Sequence, residues 1–79
     1  MAYAKLDPEK IGRMMKTLRV EKNETELQMA GALGISQSAV TMYESGKRIP
    51  RDEIKIRIAE HFGVSVDSIF FPKKPHEAC

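Results

Sequence analysis

The side chains that could take part in chemistry fall into two groups along this chain of 79 residues. The first group holds the possible nucleophiles and metal ligands, which are His61, His76 and Cys79. His61 is predicted to take a surface or half-buried position on a helix, and the other two are too few to close a tetrahedral zinc shell. Neither a phosphate-binding glycine loop nor a catalytic carboxylate pair is present. We therefore expect no enzyme activity, no metal, no cofactor and no small-molecule substrate.

The second group consists of polar, uncharged side chains followed by cations. No acidic or basic side chain occurs from residue 27 through residue 43. That stretch contains Gln37, Ser38, Thr41 and Met42, and the cations that follow it are Lys47, Arg48 and Arg51. Amide and hydroxyl groups exchange hydrogen bonds with a polar partner, while cations neutralise anions. The pattern predicts an uncharged stretch bordered by positive charge, which by itself does not identify a ligand.

Composition limits the kind of protein that can hold these groups. The chain is 42% hydrophobic, carries a formal net charge of +2 and has one cysteine, so no internal disulfide can form. It lacks the run of ~20 apolar residues that spans a membrane, and its first residues show no signal-peptide core. The sequence predicts one cytoplasmic domain over residues 7–71 and a flexible tail over residues 72–79.

Capping residues and apolar spacing predict an all-α chain of five helices without strands. The predicted helix starts are Asp7, Thr25, Ser36, Pro50 or Arg51, and Ser65 or Val66. In the first helix the predicted inner face includes Met14 and Met15. Met29, in the second helix, is also predicted to fill the core. In the fourth helix, Ile54, Ile58 and Phe62 form the predicted stripe, with Ile56 and Ala59 on its shoulders.

The second and third helices show the spacing of a helix-turn-helix. Two helices that cross at 90–120° after so short a turn need a small residue at their closest point, which Ala30 supplies. Gly34 is placed where the turn needs a left-handed conformation. Ile35 covers the turn from outside, and Val40 fills the inside of the later helix.

With these residues in place, the sequence resembles the lambda-repressor-like (Cro-type, xenobiotic-response-element) helix-turn-helix regulators. The matching residues are Ala30, Leu33-Gly34-Ile35-Ser36, Gln37-Ser38, Val40, Tyr43-Glu44-Ser45-Gly46, Arg48, Pro50, Ile58-Ala59 and Phe62-Gly63-Val64-Ser65-Val66-Asp67. The resemblance implies a compact five-helix DNA-binding domain in which the third helix contacts bases.

The implied contacts with double-stranded DNA divide by chemistry. Outward positions on the third helix, Gln37, Ser38, Thr41 and Met42, are expected to face base edges. The amide of Gln37 matches the N7 and N6 groups of adenine, and methyl groups of Thr41 and Met42 suit thymine. Phosphates are expected at Ser36, Lys47, Arg48 and Arg51, through a helix N-terminus and through positive charge.

The chain departs from the family's pattern at four positions. Glu26 stands where a phosphate-bonding glutamine is common, and its carboxylate suits the helix dipole but repels phosphate. Glu24 replaces an apolar residue. Leu27 replaces a polar one and either stays exposed or packs inward. Met42 replaces a polar or basic residue, which gives DNA shape more weight in recognition.

These features predict a sequence-specific transcriptional regulator, a repressor that binds a pseudo-palindromic operator as a homodimer. The alternative is a protein-interaction module of the same fold, antitoxin-like or regulator-binding, which Glu26, Leu27 and Met42 favour. Ile69, Phe70 and Phe71 are candidates for the dimer contact. Equally, the first two of these could close the core and leave only Phe71 exposed.

Overall fold

The computed structural model describes residues 6–71. Within them the chain forms five α-helices and no strand, which confirms the predicted fold class. The helices are α1 (Pro8–Glu21), α2 (Glu26–Leu33), α3 (Gln37–Glu44), α4 (Asp52–Phe62) and α5 (Val66–Phe70). None of these helices is long and apolar enough to cross a membrane. The flexible tail predicted at 72–79, with His76 and Cys79, lies outside the described residues.

Local hydrogen bonds start the helices where the sequence predicts. Side-chain oxygens cap four of them at Asp7, Thr25, Ser36 and Ser65. At α2 the capping box is complete: Thr25 Oγ1 accepts from the Gln28 N–H at 3.0 Å, and Gln28 Oε1 accepts from the Thr25 N–H at 2.9 Å. α4 has Arg51 as its cap residue but no side-chain capping bond. Its first turn carries Asp52 and Glu53 instead, which favour the positive end of the helix dipole.

The core forms where the inner faces of all five helices meet. Its buried members are Ile11, Met15, Met29, Ala30, Leu33, Val40, Tyr43, Ile54, Ile58, Ile69 and Phe70. At the C-terminal end, Ile69 and Phe70 are each 2% exposed, whereas Phe71 is 46% exposed. Of the two alternatives for these residues, the structure therefore shows the second: Ile69 and Phe70 close the core of the chain itself, and only Phe71 is exposed.

The prediction that Met14 fills the core is wrong. Met14 is 38% exposed, while its neighbour Met15 is completely buried. The buried side of α1 runs through Ile11, Gly12 and Met15. With 100° between successive residues, that stripe leaves Met14 beyond the edge of the inner face.

The shoulder of α4 also differs from the prediction. Ile56 is 51% exposed, and Lys55 is buried beside Ala59 in its place. The ammonium group of Lys55 lies 5.7 Å from the ring centre of Phe70 and 5.8 Å from that of Phe71. A lysine can cover apolar surface with its stem and satisfy its charge over aromatic faces. The sequence pattern of α4 gave no indication of this role for Lys55.

Gly12 lets α1 approach the end of α3 without any side chain between them. A Cβ atom at this position would lie 2.5 Å from the Glu44 carbonyl oxygen and 2.6 Å from the Tyr43 carbonyl oxygen. Backbone oxygens at a helix end cannot turn away as a flexible side chain can. The absent side chain at residue 12 therefore fixes how closely α1 and α3 pack.

Gly12→Ala is expected to destabilise the fold by about 3 kcal/mol, since one methyl group must force two packed helices apart. Urea denaturation of the variant and the parent chain measures the loss. Gly31→Ala is the matched control, because a Cβ there meets nothing within 4 Å. Alanine should stabilise α2 at that position by up to about 1 kcal/mol. Equal stability of the two variants would contradict the packing argument.

Candidate nucleic-acid interface

A three-residue turn, Gly34 to Ser36, sets the angle between α2 and α3. Gly34 has φ +72°, and the Ile35 N–H donates to the Ala30 carbonyl at 3.0 Å, which ends α2. From α4, Arg57 Nη1 donates to the Leu33 carbonyl at 3.2 Å. The last carbonyls of α2 are thus satisfied in part by a different helix. This turn confirms the predicted left-handed glycine and leaves α3 inclined away from α2.

α3 buries one side and exposes the other. Val40 and Tyr43 are buried in the core. The four side chains predicted to face bases are all exposed and line one shallow depression of ≈ 290 Å³: Gln37, Ser38, Thr41 and Met42. Ser36 caps this helix by accepting from the Ala39 N–H at 3.1 Å. The structure therefore gathers the predicted base-facing set on one open surface.

The predicted phosphate ligands are gathered less completely. Ser36, Arg48 and Arg51 line a second depression of ≈ 540 Å³ at the start of α3. Lys47 is exposed but does not belong to that lining. Two guanidinium groups beside a helix N-terminus form a surface that attracts anions. Lys47 lies on the chain between this depression and the end of α3.

Glu26, the first residue of α2, contacts the exposed side of α3. Its Oε1 atom accepts a hydrogen bond of 2.8 Å from the Thr41 hydroxyl. Glu26 and Thr41 also line a third depression of ≈ 210 Å³, together with Lys16, Arg19, Glu44 and Ser45. From the sequence, Glu26 is a poor phosphate ligand and a residue that favours a protein partner, but not a partner of Thr41. Its pairing with Thr41 joins residues far apart in the chain, and no local pattern indicates it.

Glu24 has a partner that explains why an apolar residue is absent there. His61 Nε2, at the end of α4, lies 2.8 Å from Glu24 Oε2, and both side chains are largely buried. Lys22 Nζ donates to the His61 carbonyl at 2.9 Å. His61 is therefore half-buried, as predicted, and joins α4 to the start of α2. Leu27 lies outside this contact with 64% of its surface exposed. Of the two alternatives for this residue, it therefore stays exposed and does not pack inward.

A buried ion pair holds the end of α3 against α1. Arg19 Nε and Nη2 donate to Glu44 at 2.7 and 3.0 Å, with side-chain exposures of 12% for Arg19 and 5% for Glu44. Arg19 Nη1 also donates to the Glu24 carbonyl at 2.7 Å. The hydrogen bond to Glu44 raises the pKa of Arg19 above its ordinary value, more than burial lowers it. The pair joins the end of α3 to α1 and so fixes the orientation of α3.

The described part of the chain offers no metal centre. Residues 6–71 contain no group of three or more histidine, cysteine, aspartate or glutamate side chains placed to hold an ion. The exposed side chains of α3 can form hydrogen bonds and apolar contacts, and the exposed cations Lys47, Arg48 and Arg51 that follow this helix can neutralise charge.

Two helices joined by a three-residue turn, the second exposing a polar face, define a helix-turn-helix domain. A helix-turn-helix family model matches residues 5–69 of this chain. The chain belongs to the helix-turn-helix family, which confirms the resemblance found in the sequence. Its members are DNA-binding transcription regulators and not enzymes.

Individual relatives agree with the family. The chain is 35% identical over 60 residues to the transcriptional repressor RstR of the cryptic phage CTXphi from Vibrio cholerae, covering 76% of this chain but 54% of RstR. It is 34% identical over 56 residues to the uncharacterised HTH-type transcriptional regulator MJ0272 of Methanocaldococcus jannaschii, covering 71% and 85% of the two chains. This chain thus spans about half of RstR and most of MJ0272.

A solved structure has the same fold at lower sequence identity. The restriction-modification controller protein C.AhdI from Aeromonas hydrophila superimposes with a TM-score of 0.76 at 23% identity, over 81% of this chain and 97% of that one. The match shows that the two chains share their fold.

Glu44→Ala is expected to cost about 3 kcal/mol of stability, because it leaves the Arg19 guanidinium buried without its carboxylate. The control is Glu53→Ala, whose carboxylate pairs with Arg57 at 3.0 Å on the exposed side of α4. That surface pair should contribute less than about 1 kcal/mol. Thermal denaturation of both variants measures the difference. A similar loss in the two variants would show that burial does not strengthen the Arg19 pair.

Proposed function

We propose that this chain is a sequence-specific DNA-binding transcriptional regulator that acts as a repressor. The observation that carries the proposal is the exposed, uncharged side of α3, bordered by the exposed cations Arg48 and Arg51. The exposed side chains of α3 carry no carboxylate themselves, so this helix can enter the major groove, whose bordering phosphates repel acidic side chains. Membership of the helix-turn-helix family supports DNA as the ligand, and RstR, named as a repressor, supports the direction of regulation.

The exposed α3 side chains supply the base contacts in this proposal. Gln37 lies in the first turn of α3, where helix-turn-helix proteins contact base edges. Its amide pairs with adenine, a contact that discriminates between bases by ~1–3 kcal/mol. Ser38 serves a base or a phosphate, and Thr41 and Met42 offer methyl groups to thymine.

Phosphates occupy the depression beside the start of α3. Ser36 presents the free N–H groups of the helix N-terminus there, and Arg48 and Arg51 neutralise charge. Lys47 contributes a further exposed cation nearby. Each neutralised phosphate releases counterions, so binding must weaken steeply as salt rises.

The domain acts as a homodimer in the cytoplasm and blocks a promoter by occupying it. One small domain buries too little DNA surface for tight discrimination, and a second copy doubles the contacts. Burial of Ile69 and Phe70 leaves Phe71 as the exposed member of the three predicted contact residues. A two-fold dimer requires a pseudo-palindromic operator.

A protein-interaction module remains the second candidate because of Leu27. A leucine with 64% of its surface exposed, next to the carboxylate of Glu26, suits a protein partner better than a phosphate. Retention on duplex DNA across a salt gradient separates the two candidates. A steep loss of binding with salt supports the regulator, and absence of retention supports the interaction module.

Two variants should lose DNA affinity in different ways. Gln37→Ala is expected to weaken binding to the preferred site about tenfold and leave binding to random DNA unchanged, since it removes a base contact. Arg48→Ala should weaken both and reduce the salt slope by about one, since it removes a phosphate contact. Titration of labelled duplexes at several salt concentrations measures both effects. Equal losses on both DNAs for Gln37→Ala would count against its contact with a base.

Selection from a random duplex pool tests the dimer. We expect enriched sequences with two inverted half-sites whose centres lie about 34 Å apart, one turn of the double helix. Phe71→Ser should reduce the enrichment of paired half-sites if that side chain lies in the dimer contact, and Val20→Ser, at another exposed apolar position, should not. Enrichment of single, unpaired sites by the parent chain would contradict the dimer.

A further inference from the structure

The hydroxyl of Thr41 is held by two acceptors of the protein itself. Glu26 Oε1 lies 2.8 Å from Thr41 Oγ1, and the Gln37 carbonyl oxygen of the preceding turn lies 3.1 Å from it. A carboxylate and a backbone carbonyl can only accept a hydrogen bond, so Thr41 is the donor in either contact. Its single hydroxyl proton is therefore engaged by acceptors of the protein itself.

This arrangement also fixes the rotamer of Thr41. A threonine in a helix has two accessible χ1 positions, one of which lets Oγ1 bond the carbonyl four residues earlier. The contact with Gln37 selects that position, and the shorter bond to Glu26 reinforces it from α2. A ligand of α3 meets the γ-methyl group and the lone pairs of Oγ1, but not a hydroxyl donor.

We propose that Glu26 is a specificity-determining residue that restricts Thr41 to accepting hydrogen bonds and to methyl contact. The inference rests on the proposed function, since it names the base chemistry that the exposed side of α3 selects. The carboxylate acts through Thr41 and needs no contact of its own with a base.

The restriction favours an A·T pair at the position that faces Thr41. In the major groove this pair offers the thymine methyl group and the adenine N6 donor, which match a methyl group and a lone pair. A G·C pair has no methyl group for the threonine methyl to contact. Its cytosine N4 donor could meet the lone pair, but guanine N7 and O6 would face the oxygen of Thr41 without a proton between them. Without Glu26, only the longer 3.1 Å contact with the Gln37 carbonyl competes for the hydroxyl proton, so Thr41 can donate to guanine and the preference should relax.

Glu26 also lies where its charge alone could affect binding, so the test must separate the two effects. Glu26→Ala removes both the charge and the acceptor. Thr41→Val keeps the branched shape and the methyl group but removes the hydroxyl. Glu60→Ala removes an exposed carboxylate of α4. Glu60 lines neither of the two depressions that Thr41 lines, so this variant controls for the loss of one negative charge.

The experiment first selects duplexes with the parent chain and then measures affinities for the selected site with A·T or G·C at each half-site position. For the parent chain we expect one base-pair position, the one that Thr41 contacts, at which A·T is bound about tenfold more tightly than G·C. Glu26→Ala should reduce that preference to about twofold at this position only. In a Thr41→Val background the same substitution should change nothing there, because the hydroxyl it controls is gone.

The outcomes separate this inference from the proposed function. If the parent chain selects no duplex and shows no salt-dependent retention, the proposed function fails and the inference falls with it. If the parent selects a site but Glu26→Ala alters all positions equally, as Glu60→Ala would, Glu26 acts through charge and the inference alone is overturned. An unchanged effect of Glu26→Ala in the Thr41→Val background overturns it as well.

Discussion

The position of α3 depends on the contact between its last turn and α1. Two backbone carbonyls of α3 lie where the side chain of residue 12 would be, so α1 can approach only because that residue is glycine. The Arg19–Glu44 pair fixes the rotation about this contact, with a 2.7 Å bond that is largely removed from water. An eight-residue helix is too short to be stable alone. Its exposed side can remain polar because contacts elsewhere hold the helix in place.

Local features of the fold could be predicted from the sequence. The caps at Thr25 and Ser36 and the left-handed Gly34 depend on residues no more than five positions apart, and the chain carries their signals directly. The exposed side of α3 followed from the same periodicity, because a helix that buries Val40 and Tyr43 must turn the intervening residues outward.

Contacts between distant residues could not be predicted in this way. Arg19 and Glu44 are 25 positions apart, and His61 and Glu24 are 37 apart. Each of these side chains is typical of a solvent-facing position when only its neighbours are considered. Lys55 shows the same difficulty, since its burial depends on aromatic rings of α5 that no property of α4 indicates. The candidate site was therefore foreseeable in its residues, but not in the carboxylate that binds Thr41.

The hydrogen bond from Thr41 to Glu26 joins α3 to α2, so α3 is not an independent unit that could be exchanged by itself. If α3 of this chain were transferred alone to another member of the family, Thr41 would lie beside a different first residue of α2. If another member's α3 were transferred into this chain, Glu26 would lie beside a different side chain. The smallest portable unit in this chain is therefore α2, the turn and α3 together. A substitution at residue 26 or at residue 41 alone would break this bond, so the two positions are coupled in this chain.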